Sequence, residues 1–398
     1  MCKSSKSQIQ KACIKSRSAS FQMEINAKDI KRMTNGTSSN ATMTSPTPSG
    51  CTRLFTPTEE WLQVSSFLII IFLSIIGNAV VIIIIKKKRH MHTPTNYFIV
   101  NLCTVNLLIL LLNAVPDIQG RIAPHLGFVV SGWPGKILCK LQAFLSSCTI
   151  NSAILTLAMI AADRFIAIFF PLKRLIHSQR AIQLISVTWL IPALPGCIFL
   201  YVNDLVDFDG TVYCMEIWEP AIPMYYNTIY TTADFIMFYV LPLLEIIILY
   251  IAIIYRIWMR RIPGHVTTAN QQVELKAKKN VLKMLIVAVL TFALFWLPVK
   301  INVMIGLYSH SPCVLTPIRR FLALFLACGN CVINPIIYIV FSRDFRNGFK
   351  ALCHCLPCFS ADVPRVHSQS RNVSEISFSV KCNGHSGLSL TKFQKIDD

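Results

Sequence analysis

Two groups of polar side chains lie inside long apolar segments, where they could form and break electrostatic contacts. Asp163 and Arg164, followed by Phe165, end one such segment, and an adjacent carboxylate and guanidinium can form a charge-assisted hydrogen bond. Residues 334–338, with the sequence Asn-Pro-Ile-Ile-Tyr, end the last apolar segment. Polar groups and a helix-breaking proline are costly at such positions, so they indicate a switch that rearranges contacts rather than covalent bonds.

A third group surrounds a proline in the apolar segment before the last. Pro298 removes a backbone hydrogen bond and clashes with the preceding turn, which bends the helix, and Phe292 and Trp296 lie just before it. A kink with bulky rings at its base can adopt two packing arrangements. A purely structural role is the simpler interpretation of Trp296 alone, but the three groups together favour a switch.

The elements that position these residues are long apolar spans. Hydrophobic residues make up 54% of the 398-residue chain and charged residues only 14%, which is too apolar for a soluble protein. A helix that crosses a bilayer needs about 20 apolar residues. The sequence predicts one helical bundle with two tails, and its spans are residues 62–85, 95–116, 136–165, 181–202, 225–256, 278–308 and 314–341.

The basic residues predict the orientation of this bundle. They concentrate on one side of the spans, at residues 86–89, 256–261, 276–283 and 343–350. Loops rich in Lys and Arg stay in the cytoplasm, so we expect the N-terminus outside and the C-terminal tail inside. The net charge of +19 is therefore attributed to membrane topology and not to nucleic-acid binding.

The two tails differ in composition from the spans. The run of residues 33–49 is polar and rich in Ser and Thr, which is typical of disorder, and Asn35 and Asn40 are glycosylation acceptors within it. We therefore expect four regions: a disordered, glycosylated extracellular tail (1–60), the transmembrane domain (61–341), an amphipathic and palmitoylated segment (342–358) and a disordered cytoplasmic tail (359–398).

In this order and at these depths, the three polar groups resemble those of a class A (rhodopsin-like) G-protein-coupled receptor, across about residues 60–355. Residues 256–264 and 283–287, with Trp133, are similar to the peptide branch that includes neuropeptide FF, neuropeptide Y, orexin and RFamide-type receptors. The resemblance implies an all-α, seven-transmembrane helix bundle with a short amphipathic eighth helix in the plasma membrane. It implies no enzymatic activity and no cofactor or metal. The implied partners are an extracellular peptide, a heterotrimeric G protein, receptor kinases, arrestin and membrane lipid.

The resemblance also implies roles for the switch residues. Asp163 would restrain Arg164 at rest, and activation would free Arg164 towards Tyr250 and the G protein, while Tyr338 swings inward to Tyr250 through water. Pro242, Phe292 and Trp296 would repack when a ligand binds. Lys278 stands where many relatives carry an acid that holds Arg164, so other contacts must hold the resting state here. The residues assigned to this switch are Asp163, Arg164, Phe165, Tyr250, Phe292, Trp296, Pro298, Asn334, Pro335 and Tyr338.

One position departs from the family in a way that matters chemically. Asn106 stands where relatives nearly always have an Asp that holds a sodium ion, and Ala153 and Cys331 replace small hydroxyl residues nearby. Asn330 belongs to the same equivalent site. A neutral amide cannot neutralise a buried cation. We therefore expect a receptor without sodium regulation.

The cysteines divide by compartment. Cys139 and Cys214 face the oxidising side, where a bridge would fix the second outer loop over the bundle, and the resemblance implies that they pair. Cys51 and Cys313 could form a second bridge. The cluster Cys353, Cys355 and Cys358 could be read as a metal knot, but its place after an amphipathic segment favours palmitoylation.

Residues in the third and last spans and in the second outer loop exclude some classes of ligand. Residues 321–341 contain no lysine, which excludes a retinal Schiff base, and Ser146 stands where amine receptors place an Asp. The second outer loop carries acids without bases and is flanked by aromatic residues, so it either attracts a cationic peptide or forms a solvated rim. The candidate ligand residues are Gln142, Ser146, Asp204, Asp207, Asp209, Glu216, Trp218, Asp234 and Lys300.

Two of these candidates carry charge at membrane depth. Asp234 lies eight residues before Pro242, and Lys300 lies two residues after Pro298. They could pair with each other and shape the pocket, or Asp234 could meet a basic ligand group and leave Lys300 for an acid or carbonyl.

Other functions are compatible with parts of this pattern. The sequence predicts a neuropeptide receptor, with an RFamide-like peptide as one possibility. A class A receptor for a lipid or other non-peptide ligand, or a scavenger receptor that internalises peptide without signalling, is the alternative. A transporter or channel is disfavoured because neither internal repeats nor a charged pore path is evident.

Overall fold

The computed structural model describes residues 55–170, 176–208, 210–259, 269–309 and 316–359. Eight helices of at least 17 residues follow one another along the described chain. Their bounds are α1, Pro57–Lys87; α2, Pro94–Ile122; α3, Gly132–Phe169; α4, Ser178–Gly196; α5, composed of Met224–Phe235, Ile236–Val240 and Leu241–Met259; α6, Ala269–Tyr308; α7, Pro317–Phe341; and α8, Arg343–Phe359.

The predicted all-α architecture of seven spanning helices and a short eighth helix is confirmed. Within the described residues, α1, α2, α3, α5, α6 and α7 are long and apolar enough to cross a membrane. The remaining span, α4, is 19 residues long and begins with the polar sequence Ser-Gln-Arg. It is continued after a turn by the short helix Phe199–Val202, which together with α4 covers the predicted span 181–202.

Local sequence explains where several of these helices begin. Thr56 caps α1 by accepting a hydrogen bond from the Glu59 N–H, and the Glu59 carboxylate accepts from the Thr56 N–H, which forms a capping box. Thr93 and Thr316 cap α2 and α7 by accepting from the N–H groups of Asn96 and Arg319, and each of the three threonines is followed by a proline. Proline suits the first helical position because its missing N–H would have no intrahelical partner there.

Prolines also explain the irregular turns inside the bundle. A wider π-type turn, Leu110–Ala114, precedes Pro116 in α2, and another, Ile236–Val240, precedes Pro242 in α5. A π-turn re-satisfies backbone groups that a proline displaces, and it rotates the following residues around the helix axis. Pro298 and Pro335 lie within α6 and α7.

The bundle has the polarity expected of a membrane protein. Apolar side chains such as Leu194, which is 78% exposed, cover its outside, whereas five asparagines are buried at its centre. These are Asn78, Asn101, Asn106, Asn330 and Asn334. A lipid environment accepts the exposed apolar surface and forces the polar groups inward to partners within the protein.

A two-stranded hairpin covers part of the outer end. Strands β1, Asn203–Phe208, and β2, Thr211–Glu216, pair antiparallel with Leu205 opposite Cys214. The predicted Cys139–Cys214 disulfide is present, with the two Cα atoms 5.6 Å apart, and ties β2 to the outer end of α3. Gly127 has φ +57°, and a Cβ there would lie 2.2 Å from the Val212 carbonyl oxygen, so only glycine allows the first outer loop to approach the hairpin.

Candidate functional site

At the cytoplasmic end of α3, the structure brings Asp163 and Arg164 into an ion pair. The Arg164 guanidinium donates to Asp163 Oδ2 at 2.8 Å from Nη2 and 3.2 Å from Nε. The Thr95 hydroxyl on α2 donates to the same carboxylate oxygen. Asp163 is 6% exposed, so its charge is compensated by these donors rather than by water. Thr95 was missed from the sequence because it lies 68 residues from Asp163.

The two tyrosines of the predicted switch are both buried and lie on separate helices. Tyr250 is on α5, and its hydroxyl has no hydrogen-bond partner within the described part of the chain. Tyr338 on α7 is 1% exposed, and its ring lies 5.7 Å from that of Phe345 on α8. The packing of Tyr338 on α8 therefore holds it at the cytoplasmic end of α7.

The proline kink of α6 holds two aromatic rings in contact. Phe292 and Trp296 are each 3% exposed, and their ring centroids are 5.9 Å apart. Trp296 Nε1 is buried without a hydrogen-bond partner among the described residues. One turn away, the Tyr239 hydroxyl on α5 donates to the Ala293 carbonyl of α6 at 2.7 Å. Sequence analysis missed Tyr239, because only the π-turn of α5 and the packing of the two helices bring it there.

The centre of the bundle is an amide network. Asn106 Nδ2 donates to Asn78 Oδ1 at 3.3 Å, and Asn78 Nδ2 donates to the Cys331 carbonyl at 3.1 Å, which joins α2, α1 and α7. Ala153 on α3 is buried, and the side-chain oxygen of buried Asn330 has no partner among the described residues. All four side chains assigned to this site by sequence (Asn106, Ala153, Asn330 and Cys331) are uncharged.

The outer half of the bundle contains a charge cluster on three helices. Lys300 Nζ on α6 lies 3.3 Å from Asp234 Oδ2 on α5, and Asn151 Nδ2 on α3 donates to Asp234 Oδ1 at 2.8 Å. The Lys300 and Asp234 side chains are 13% and 19% exposed. Of the two alternatives from sequence, the structure contains the internal pair. Asn151 was not anticipated, because an asparagine within α3 has no sequence signal that identifies its partner.

Two further ligand candidates face α2. Ser146 on α3 donates to Asn113 Oδ1 at 2.8 Å, and Gln142 Nε2 donates to the Leu112 carbonyl at 3.2 Å. Both side chains are half-buried. Leu112 and Asn113 belong to the π-turn of α2, so this irregular turn determines which groups of α2 Gln142 and Ser146 contact.

The acids of the hairpin are placed differently from one another. Asp204 accepts from Lys136 of α3 in a 2.7 Å ion pair. Partial burial opposes its ionisation, but the hydrogen bonds from Lys136 and from the Leu205 N–H and the charges of Lys136 and Lys140 outweigh it, so the pKa of Asp204 lies below its ordinary value. Asp207 is exposed and accepts from the Gly210 N–H, which closes the turn.

Glu216 and Trp218, two further ligand candidates, are buried together. Trp218 Nε1 donates to Glu216 Oε1 at 2.5 Å, and the two residues are 2% and 8% exposed, respectively. The Trp218 ring packs 6.1 Å from that of Tyr230 on α5. A large ring and its acceptor are turned inward because the disulfide and the start of α5 hold this segment against the bundle.

A buried ion pair that sequence analysis did not single out lies at the outer end of α2. Asp117 Oδ2 lies 2.6 Å from Arg121 Nε, and Arg121 also donates to Gln63 of α1. The guanidinium lies 5.6 Å from the ring centroid of Phe321 on α7, which adds a cation–π contact. The signal was available in the sequence, since an Asp and an Arg four residues apart lie on one face of a helix.

Several predictions fall outside the described part of the chain. These are the glycosylation acceptors Asn35 and Asn40, the second bridge between Cys51 and Cys313, and Asp209. The helix α8 runs past Cys353, Cys355 and Cys358, but the side chains of these cysteines and of Lys278 are also outside it. These assignments stay predictions.

Comparisons with known proteins agree with this arrangement. The family described as 7 transmembrane receptor (rhodopsin family) matches residues 77–338. The chain is 33% identical to neuropeptide FF receptor 2 of Mus musculus over 318 residues, which cover 75% of this chain and 73% of that receptor. It is 30% identical to the substance-P receptor of Homo sapiens over 302 residues, 75% and 72% of the two chains, and 29% identical to the substance-K receptor of Canis lupus familiaris over 305 residues, 74% and 76%. The chain therefore belongs to the rhodopsin family of seven-transmembrane receptors, which are multi-pass proteins of the plasma membrane and not enzymes.

Proposed function

We propose that this receptor is activated by an extracellular neuropeptide and promotes nucleotide exchange on a heterotrimeric G protein. The names of its relatives, a neuropeptide FF receptor and the substance-P and substance-K receptors, support a peptide ligand. The observation that carries the proposal is the Asp163–Arg164 pair, closed by Thr95 at the cytoplasmic end of α3. It supports a resting state in which Arg164, the proposed G-protein contact, stays paired with Asp163 until a ligand binds at the outer end of the bundle.

To activate the receptor, the ligand must stabilise the open conformation of the helix bundle. A ligand shifts a conformational equilibrium only by its differential affinity for the two states. We assign the ligand site to the outer half of the bundle, around Gln142, Ser146, Asp234 and Lys300. The exposed Asp207 supports an entry surface that attracts a cationic peptide, including one of the RFamide type.

The inner switch then exposes the G-protein site. Repacking of Phe292 and Trp296 at the Pro298 kink would move the inner half of α6 outward. Arg164 would leave Asp163 and turn towards Tyr250, whose buried hydroxyl has no partner among the described residues. Tyr338 would leave Phe345 and approach Tyr250 through water. Pro335 lies inside α7, beside Asn334, and a proline at this position would make it easier for the helix to bend during this movement.

The cytoplasmic tail would have two roles: its phosphorylation would end signalling, and its palmitate would attach α8 to the membrane. Phosphorylation of Ser368, Ser370, Ser374, Ser377 and Ser379 by receptor kinases would add the negative charge that recruits arrestin. Palmitate on the Cys353, Cys355 and Cys358 cluster would hold α8 at the membrane lipid.

The test is a G-protein activation screen in transfected cells with a library of neuropeptides, both amidated and free-acid. We expect a response that disappears in Arg164→Ala and persists in the matched control Lys87→Ala, which removes an exposed basic residue from the same side of the membrane. Both variants are compared at equal surface density.

Other outcomes separate the alternatives. Silence towards all peptides, with a response to lipids, would replace the peptide assignment by a non-peptide ligand. Uptake of a labelled peptide that is equal in the native chain and Arg164→Ala, without any G-protein response, would identify a scavenger receptor.

A further inference from the structure

The seam between α5 and α6 contains polar contacts at three depths. At the outer end, the Thr232 and Tyr308 hydroxyls lie 2.8 Å apart, and below them Asp234 pairs with Lys300 at 3.3 Å. The innermost contact is the 2.7 Å hydrogen bond from the Tyr239 hydroxyl to the Ala293 carbonyl. It is also the only one of these three that lies on the cytoplasmic side of Pro298 along α6.

The position of Tyr239 is fixed by its surroundings. It belongs to the π-turn Ile236–Val240, which rotates it away from the lipid face, and it is 6% exposed. Its ring stacks on that of Phe235, with centroids 5.5 Å apart and planes 18° apart. The hydroxyl is therefore held in place by packing, and it has few alternative directions in which to donate.

The acceptor is significant because it is a backbone atom beside the kink. Pro298 has no N–H, so the Leu294 carbonyl lacks the donor that a regular helix supplies four residues later, and the Ala293 carbonyl is its neighbour. Ala293 also lies between Phe292 and Trp296, the two rings in contact at the kink. A backbone acceptor cannot follow its donor by changing rotamer, so the bond lasts only while α5 and α6 keep their spacing at this level.

We propose that Tyr239 is a positioning residue whose hydrogen bond to the Ala293 carbonyl, called the clasp below, holds the kink of α6 in the resting receptor. Breaking this hydrogen bond is then a step in activation. The inference rests on the proposed function, in which the inner half of α6 moves outward. Buried in a region without competing water, one neutral hydrogen bond of this kind shifts a two-state equilibrium by about fivefold.

The test removes one atom. Tyr239→Phe keeps the ring and its stacking on Phe235 but deletes the donor. We expect agonist-free G-protein activation per surface receptor to rise about fivefold, as the hydrogen-bond magnitude implies. The rise should disappear in the double variant Tyr239→Phe/Arg164→Ala, because the clasp acts through the switch.

A matched control separates the clasp from a general effect of losing a hydroxyl. The Thr291 hydroxyl, also on α6, donates to the Val287 and Ala288 carbonyls of its own helix at 3.0 Å each. Thr291→Val therefore removes a hydroxyl of similar environment without touching α5, and we expect its basal signal to stay at the native level.

A second readout needs neither ligand nor G protein. Hydrogen–deuterium exchange of the purified receptor should be faster across residues 281–293 in Tyr239→Phe and unchanged in Thr291→Val. Faster exchange without any G-protein signal would uphold the clasp and contradict the proposed function. Unchanged exchange in Tyr239→Phe would overturn the clasp. So would a measurable native basal signal that is unchanged or lower in Tyr239→Phe, or an equal rise in Thr291→Val.

Discussion

At the scale of single residues, three aspartate carboxylates lie within the spanning helices, where charge is costly. Asp163 and Asp234 are each compensated by a basic side chain and a neutral donor, and Asp117 is compensated by Arg121, whose guanidinium also lies against the Phe321 ring. A carboxylate at membrane depth without such partners would be strongly disfavoured, so each cluster constrains the helices that supply its members. The consequence is that one substitution in a cluster affects helix positions as well as local chemistry.

The outer cluster predicts a specific pattern of stability. Asp234→Asn or Lys300→Met alone should destabilise the receptor by about 3–5 kcal/mol, since each leaves one buried charge unpaired. The double variant should recover most of that loss, because no unpaired charge remains. The measurement is thermal unfolding of purified receptor in detergent. Equal losses that simply add in the double variant would mean that the two side chains do not interact.

The inner cluster predicts a gain of signalling. Asp163→Asn removes the charge that holds Arg164, and we expect agonist-free activity to rise, as the loss of a charge-assisted hydrogen bond of about 1.5–3 kcal/mol implies. Thr95→Val removes only a neutral donor and should produce a smaller rise in the same direction. The assay is nucleotide exchange on G protein without ligand. A fall in activity for either variant would contradict the restraining role.

At the scale of elements, irregular turns decide which side chains reach the functional sites. The π-turn of α2 supplies the Leu112 carbonyl and the Asn113 side chain that Gln142 and Ser146 contact, and that of α5 supplies Tyr239 to the Ala293 carbonyl of α6. Regular helices would rotate these groups to other faces. The close approach of α1 and α7 depends on a small residue, since a Cβ on Gly77 would lie 3.0 Å from Pro335 Cβ.

The amide network that joins α1, α2 and α7 predicts that agonist affinity does not depend on sodium. Asn106 donates to Asn78 and brings no negative charge, so the site lacks the charge that a buried cation needs. Replacing sodium by N-methyl-D-glucamine at constant ionic strength should change agonist affinity by less than about twofold, as expected where no charge is neutralised. A severalfold change would contradict this account.

The hairpin ion pair between Asp204 and Lys136 should remain intact in mild acid. Folding lowers the pKa of Asp204. The contribution of this carboxylate to the free energy of unfolding is therefore fully present above the unfolded-state pKa of about 3.9, and it is lost only as pH falls through the lower pKa of the folded state. Ligand binding that depends on Asp204 should therefore be constant between about pH 5 and pH 8, a range that lies above both values. Asp204→Asn supplies the control, and a midpoint within this range that the variant abolishes would contradict the assignment.

At the scale of the whole molecule, the receptor is a bundle whose outer end is held by a disulfide between α3 and the hairpin. Cys139 and Cys214 are 75 residues apart, and a cross-link of that span restricts the unfolded chain by about 4 kcal/mol. Cys139→Ser should reduce surface expression and ligand binding, whereas Lys136→Ala, which breaks only a half-exposed ion pair, should change stability by less than about 1 kcal/mol. Surface labelling and thermal unfolding measure the two effects, and equal losses would show that the disulfide has no special role.

The sequence by itself determined the helices, their order and the family. Apolar length, proline positions and the motifs around Arg164, Trp296 and Asn334 are local signals, and each span they predict overlaps an observed helix. The largest difference is at α6, which begins at Ala269 where the sequence predicted residue 278. The Cys139–Cys214 bridge was implied only by the resemblance, and the structure contains it.

Only the tertiary structure decided which distant side chains meet. It placed Asn151 on Asp234, Thr95 on Asp163 and the Tyr239 hydroxyl on the α6 kink, and it turned Trp218 inward. Such contacts join residues far apart in the chain, and they depend on how neighbouring helices rotate and bend against each other. Those rotations are set by packing across the whole bundle, which no local pattern records.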